Sequence, residues 1–129
     1  MQVNIFGDAS GNGRHTSASR TDWQIVRDML SGYGYVVHSR VPAANPAVRD
    51  RVNCVNALLC NHEGERCLTI DESCKELIKD MEQVTWGAES LDKSDGKRSH
   101  LSDALGYVVA QEFSMKPQGG YRSGPGPLL

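Results

Sequence analysis

Asp8 lies in the run Gly7-Asp8-Ala9-Ser10-Gly11, directly after a short β-favouring segment, and Asp103 lies early in an apolar-periodic segment near the other end of the chain. In open α/β sheets, working residues gather at the carboxyl ends of the strands, and glycine at such a position lets the backbone turn closely and leaves a carboxylate accessible. If the last helix carries Asp103 to the same edge, two hard oxygen ligands converge, and that donor chemistry suits Mg2+ or Mn2+. Two such ions roughly 3.5–4 Å apart stabilise the attacking and leaving oxygens of phosphodiester hydrolysis, so these acids point to cleavage of a DNA backbone. Each also has a plain structural alternative. Asp8 can be a turn-initiating aspartate bonded to its own backbone, and Asp103 a first-turn acid favoured by the helix dipole.

Other residues add to this chemistry or compete with it. His100 precedes Asp103 by one turn and can orient a metal-bound water or contact a phosphate, or simply be an exposed residue at a helix start. Asp71 follows a predicted strand and can add an acidic ligand, although Asp71-Glu72-Ser73 also reads as ordinary helix-start chemistry. Arg14, Arg20, Arg40, Arg49 and Arg51 form a basic set able to face phosphates, and Lys93 and Lys97, beside Arg98, can touch a DNA backbone from a loop. A solvated basic face and a soluble loop are the alternatives. Zinc is a second metal chemistry to weigh, because Cys54, Cys60, His62, Cys67 and Cys74 lie close in sequence. None of them forms the Cys-x-x-Cys pair typical of structural zinc sites.

The elements that must position these residues follow from periodicity. Gln2 to Phe6 alternates polar and apolar, predicting a strand that ends just before Asp8. Thr21-Asp22-Trp23-Gln24 has capping-box spacing and predicts a helix along Val26, Met29, Leu30 and Tyr33, with Gly32 and Gly34 as stops. Tyr35 to Val41 then reads as a second strand, parallel to the first across the intervening helix. Asn45-Pro46 predicts a capped helix with Val48, Val52, Val55 and Leu59 on one stripe, ending near Cys60. Arg66 to Ile70 is expected as a third strand, and Ser73 as the cap of a helix lined by Leu77, Ile78, Met81 and Val84. Trp86 to Arg98 reads as a flexible loop. Ser99 is expected to cap the last helix, with Leu101, Leu105, Val108 and Phe113 on its buried side and His100, Asp103 and Tyr107 on a neighbouring strip. The expectation is an α/β fold with a mainly parallel short sheet flanked by helices over residues 1–114, followed by a flexible Gly/Pro-rich tail over 115–129.

Composition is consistent with one globular domain. The chain has 129 residues, 39% of them hydrophobic and 23% charged, and there is no apolar run of the ~20 residues a membrane span needs. With no basic-then-apolar leader after Met1, the expected location is the cytoplasm, with four reduced cysteines. The formal charge of −2 argues against DNA affinity spread over the whole surface. It is unevenly placed, however. Residues 1–62 carry six arginines against four aspartates, whereas residues 63–129 carry eight basic and twelve acidic residues.

Four segments, in order, carry a resemblance. Gly7-Asp8-Ala9-Ser10-Gly11-Asn12, Thr21-Asp22-Trp23-Gln24-Ile25, Asn45-Pro46 through Arg49-Asp50-Arg51-Val52-Asn53 to Asn56-Ala57, and His100-Leu101-Ser102-Asp103-Ala104-Leu105-Gly106-Tyr107 resemble the terminase large subunit of tailed phages, over nearly the whole chain to about Phe113. The resemblance implies a ribonuclease H-like nuclease in which three acids hold two Mg2+ or Mn2+ ions. Asp8 would match the second acidic position and Asp103 the third, while the first has no counterpart in these residues. No Gly-x-x-x-x-Gly-Lys-Ser/Thr phosphate loop occurs either. The resemblance therefore implies a later piece of the nuclease domain, lacking the first strands. It would act on double-stranded DNA with the rest of the large subunit, including its ATPase domain, and with the small terminase and portal, in the cytoplasm of the host of a phage or prophage. The competing expectation is a non-catalytic remnant or docking module for the portal or a terminase partner. An independent ribonuclease H-like resolvase is disfavoured by the missing first-strand acid.

Overall fold

The computed structural model describes residues 1–13, 19–83 and 99–113. Among these residues the chain is mixed α/β, with two strands and four helices. The strands are β1 (Gln2–Ile5) and β2 (Val36–Ser39); they pair in parallel, from Gln2 opposite Val36 to Ile5 opposite Ser39. Helix α1 (Asp22–Gly32) connects them, as parallel pairing requires. Its capping box forms as the spacing predicts: Gln24 N–H donates to Thr21 Oγ1, and Thr21 N–H donates to Gln24 Oε1. Gly34, at φ +84°, takes the left-handed position just after the helix.

Helix α2 (Val48–Leu59) lies against α4 (His100–Glu112), and α3 (Lys75–Gln83) also packs on α4. Val55 and Val109 are the buried apolar residues among those described, so the core sits between α2 and α4. The apolar strip of α1 takes no part in it. Ile25, Met29 and Tyr33 are exposed, as is Val36 on the neighbouring strand.

Five expectations are corrected. Arg66–Ile70 forms no strand. Cys67 and Leu68 both donate their backbone N–H groups to the Leu58 carbonyl, so this segment satisfies the C-terminal end of α2 instead of joining the sheet. Asn45 does not cap α2, which starts at Val48 with Ala47 at the cap and no side-chain bond there. Ser73 does not cap α3, because its hydroxyl donates to Asp71 just ahead of the helix. Ser99 makes no side-chain cap either; the buried Asp80 of α3 takes that role, accepting from the backbone N–H groups of Leu101 and Ser102 at 3.0 and 3.3 Å. Helix α4 is also turned relative to its predicted face. Gly106 and Val109 are buried, whereas Leu101 and Phe113 are exposed. Val84, the predicted loop over 86–98 and the tail over 115–129 lie outside the described residues.

Candidate functional site

The loop that holds Asp8 is wrapped around Trp23. The indole Nε1 donates to the Asp8 carbonyl at 2.8 Å, and a Cβ added at Gly7 or Gly11 would run into the indole ring. The two glycines are therefore required by close approach to one aromatic side chain of α1, and this explains physically why the Gly-Asp-Ala-Ser-Gly run accompanies a tryptophan in the first turn of the next helix. Residues Ala9–Asn12 close into a single 3-10 turn, started by the Asp8 side chain accepting from Ser10 N–H at 2.7 Å.

The partner of this loop comes from the chain just past β2, which ends on the same edge of the parallel sheet. Asn45 uses both ends of its amide: Oδ1 accepts from Ala9 N–H at 2.8 Å, and Nδ2 donates to Asp8 Oδ1 at 2.7 Å. The other carboxylate oxygen, Asp8 Oδ2, accepts from the Tyr107 hydroxyl at 2.9 Å. Donors on both oxygens stabilise the charged form, and the Asp8 carboxyl is held well below the usual carboxylate range, chiefly by Asn45 and then by Ser10. The Tyr107 hydroxyl is pushed up, first by burial and then by its bond to Asp8.

Asp103 enters through Arg51. The guanidinium Nη2 donates to Asp103 Oδ1 at 2.8 Å, and the same guanidinium lies 4.3 Å from the centre of the Tyr107 ring. A cation over an aromatic face and a charge-assisted bond on the same group hold it strongly in place. Gly106 makes room for it, since a Cβ there would meet Arg51 Cγ at 2.7 Å and Cδ at 2.9 Å. The result is a continuous line of contacts from Asn45 through Asp8, Tyr107 and Arg51 to Asp103. The two acids singled out from sequence are therefore linked through Tyr107 and Arg51.

The remaining predicted residues divide. Arg51 is corrected: it is 4% exposed, and its head group is turned inward to Asp103, so it offers no surface for a DNA phosphate. Asp71 is exposed, and its carboxylate is taken up by the Ser73 N–H and hydroxyl. His100 is exposed at the start of α4. Arg20 and Arg49 are exposed, with Arg20 paired to Asp28 at 3.2 Å, and Arg40 is exposed just past β2. Arg14, Lys93 and Lys97 lie outside the described residues. Among the described residues no three of His, Cys, Asp and Glu group closely enough to hold a metal ion. The zinc alternative thus finds no cluster there, and neither Asp71 nor another described acid completes a triad with Asp8 and Asp103.

Sequence reasoning missed three contributors. Asn45 looked like a helix cap, Trp23 like a filler of the capping box, and Tyr107 like one more residue on the strip with Asp103. Only for Tyr107 was there a signal, its place one turn after an acid. Comparison with protein-family models, with curated proteins and with solved structures finds no match to this chain.

Proposed function

We propose that this chain is the later part of the nuclease domain of a tailed-phage terminase large subunit, a ribonuclease H-like unit that cuts concatemeric viral DNA during packaging in the host cytoplasm. The observation that carries this proposal is the convergence of Asp8 and Asp103, from opposite ends of the sequence, on the shared pair Tyr107 and Arg51. The four segments that resemble the family contain all of these residues and Asn45.

The described residues do not by themselves form a group that could hold a metal ion, so the proposed site needs a further acid beyond Asp8 and Asp103. Asp8 is held ionised, chiefly by Asn45 and Ser10, and its Oδ2 accepts from the Tyr107 hydroxyl. Asp103 presents a second carboxylate, and the third acid belongs to another part of the terminase. Mg2+ or Mn2+ held there would supply charge stabilisation to the attacking and leaving oxygens of the phosphodiester. The chain's own residues hold the acids in place. Asn45 and Ser10 orient Asp8, Arg51 balances the charge of Asp103, and the exposed Arg20 and Arg49 offer contacts to the DNA backbone that add affinity without reading sequence.

The test is nicking of supercoiled plasmid by the full chain with Mn2+, Mg2+ or chelator, beside Asp8→Ala and Asp103→Ala. Metal-dependent nicking lost in both variants is the expected result. A second reading, a non-catalytic docking module for a portal or terminase partner, draws on the exposed apolar strip of Ile25, Met29, Tyr33 and Val36. No nicking and no metal binding by a folded wild-type chain would favour it.

A further inference from the structure

We infer that the outer edge of β1 pairs with the same edge of a second copy of this chain, joining two short sheets into one. The inference rests on backbone register and not on the nuclease reading. Val36 N–H donates to the Met1 carbonyl at 3.1 Å, and Arg40 N–H to the Ile5 carbonyl at 2.8 Å. In a parallel ladder that pattern turns the backbone groups of Met1, Val3 and Ile5 toward β2, so those of Gln2 and Asn4 point away from it. Among the described residues no hydrogen bond reaches these outward groups, and both residues are exposed. An edge of open N–H and C=O groups is a template for an extended strand, and a sheet gains stability as strands are added to the first two.

A second copy is the partner because the strand is complementary to itself. A two-fold axis at Val3 sets Gln2 opposite Asn4 of the copy, and the two residues of each such pair exchange both N–H···O bonds. The same register sets Val3 against Val3 and Met1 against Ile5 on the other face. Amide side chains therefore meet amides and apolar side chains meet apolar ones, and Met1, 88% exposed, gains cover. Residues 1–6 contain neither a charged side chain nor a proline, the usual devices that keep sheet edges apart. The outer edge of β2 is different. Val37 and Ser39 face outward there, and two-fold pairing through them sets His38 against His38 and the exposed Arg40 opposite Val36, with Pro42 close behind.

Sedimentation equilibrium of the full chain, from about 10 μM to 1 mM, measures the association; so short an edge is expected to give a weak dimer, with a dissociation constant on the order of 100 μM. Asn4→Pro removes an outward donor without touching the ladder to β2, and it should abolish the dimer across that range. Two double variants test the register, since both positions are exposed. Gln2→Lys with Asn4→Lys places like charges opposite each other and should weaken the dimer about tenfold, whereas Gln2→Lys with Asn4→Glu places opposite charges there and should tighten it several-fold. Circular dichroism of the same samples should match the wild type. The charge pair decides the matter if Asn4→Pro unfolds, because its two members are expected to move the dimer in opposite directions. A monomer at every concentration overturns the inference and leaves the edge to a strand from another protein. A dimer that both charge variants leave unchanged, or weaken alike, also overturns it, because association then uses another surface or another register.

Discussion

Asp8-Ala9-Ser10 and Asp71-Glu72-Ser73 are the same local structure in two settings. In each, the carboxylate accepts from the backbone N–H two residues on, at 2.7 Å for Ser10 and 2.9 Å for Ser73. In each, the aspartate carbonyl then accepts from the N–H three residues on, Gly11 or Cys74. Both carboxyls are held below the usual range by hydrogen bonds. The difference lies in what else arrives. Among the described residues Asp71 receives only the Ser73 hydroxyl in addition, and it is exposed. Asp8 receives Asn45 from beyond β2 and Tyr107 from α4, and through Tyr107 it is linked to Arg51 and Asp103. An aspartate turn is a local device that chains use freely; partners recruited from distant elements make one of these two a candidate site.

The flanking residues carry the same contrast. Asp8 lies between Gly7 and Gly11, both pressed against Trp23, whereas the equivalent positions around Asp71 are Ile70 and Cys74. A turn that packs on an indole needs glycine, and a turn in solvent does not.

The largest expected separation of the two turns is catalytic. Asp8→Ala should lower metal-dependent plasmid nicking more than about 100-fold, beyond the loss typical of groups that only orient a metal ligand, while Asp71→Ala leaves it within about twofold. Equal losses in both would end the distinction. Next in size is Arg51→Ala, which strips Asp8 of its link to Asp103 and so makes it more like Asp71. Removing one partner of a buried ion pair should cost about 3 kcal/mol in urea unfolding, toward the low end because Asp103 keeps some contact with water. A cost near zero would mean that the pair is not formed in solution.

A smaller effect is expected from the neutral partners. Asn45→Ala deletes two hydrogen bonds that tie separate segments together and should cost about 1–2 kcal/mol, whereas Ser73→Ala deletes a local, exposed one and should stay within about 0.5 kcal/mol. Parity between these variants would place Asn45 in the same class as a solvent-facing turn residue. The smallest effect is on pH dependence. The Asp8 carboxyl is lowered on folding from the ordinary value of about 4, so its contribution is full above that value and drains away as pH falls through the folded one. The melting temperature of the wild type should therefore fall on acidification below about pH 4, and Asp8→Asn should flatten that decline. Asp71→Asn should flatten it less, because water competes for an exposed carboxylate. A curve unchanged by Asp8→Asn would show that its hydrogen bonds add nothing to the folded state.

The legible part of this molecule is the part whose hydrogen bonds close within a few residues. The strand ahead of Asp8, the Thr21-Gln24 capping box, the parallel return through Val36–Ser39 and the presence of the last two helices all follow from local pattern. The failures occur where a distant partner competed for a residue. Asn45 has the chemistry of a helix cap, but its amide is used by the Asp8 loop. Arg66–Ile70 has the composition of a strand, but the open carbonyl of Leu58 takes its N–H groups. Arg51 reads as a surface cation, but Gly106 leaves a path along α4 that buries it against Tyr107.

By itself, then, the sequence determined that Asp8 follows a strand in a tight glycine-flanked turn and that Asp103 and Tyr107 share one side of the last helix. Both are consequences of backbone periodicity and of bonds to near neighbours. Only the tertiary structure decided that these two acids are joined through Tyr107 and Arg51 and that Asp71 stays outside, because that outcome depends on how α2 packs against α4. The packing turns on the missing side chain at Gly106 and on one buried guanidinium, whose partners are far from it in sequence.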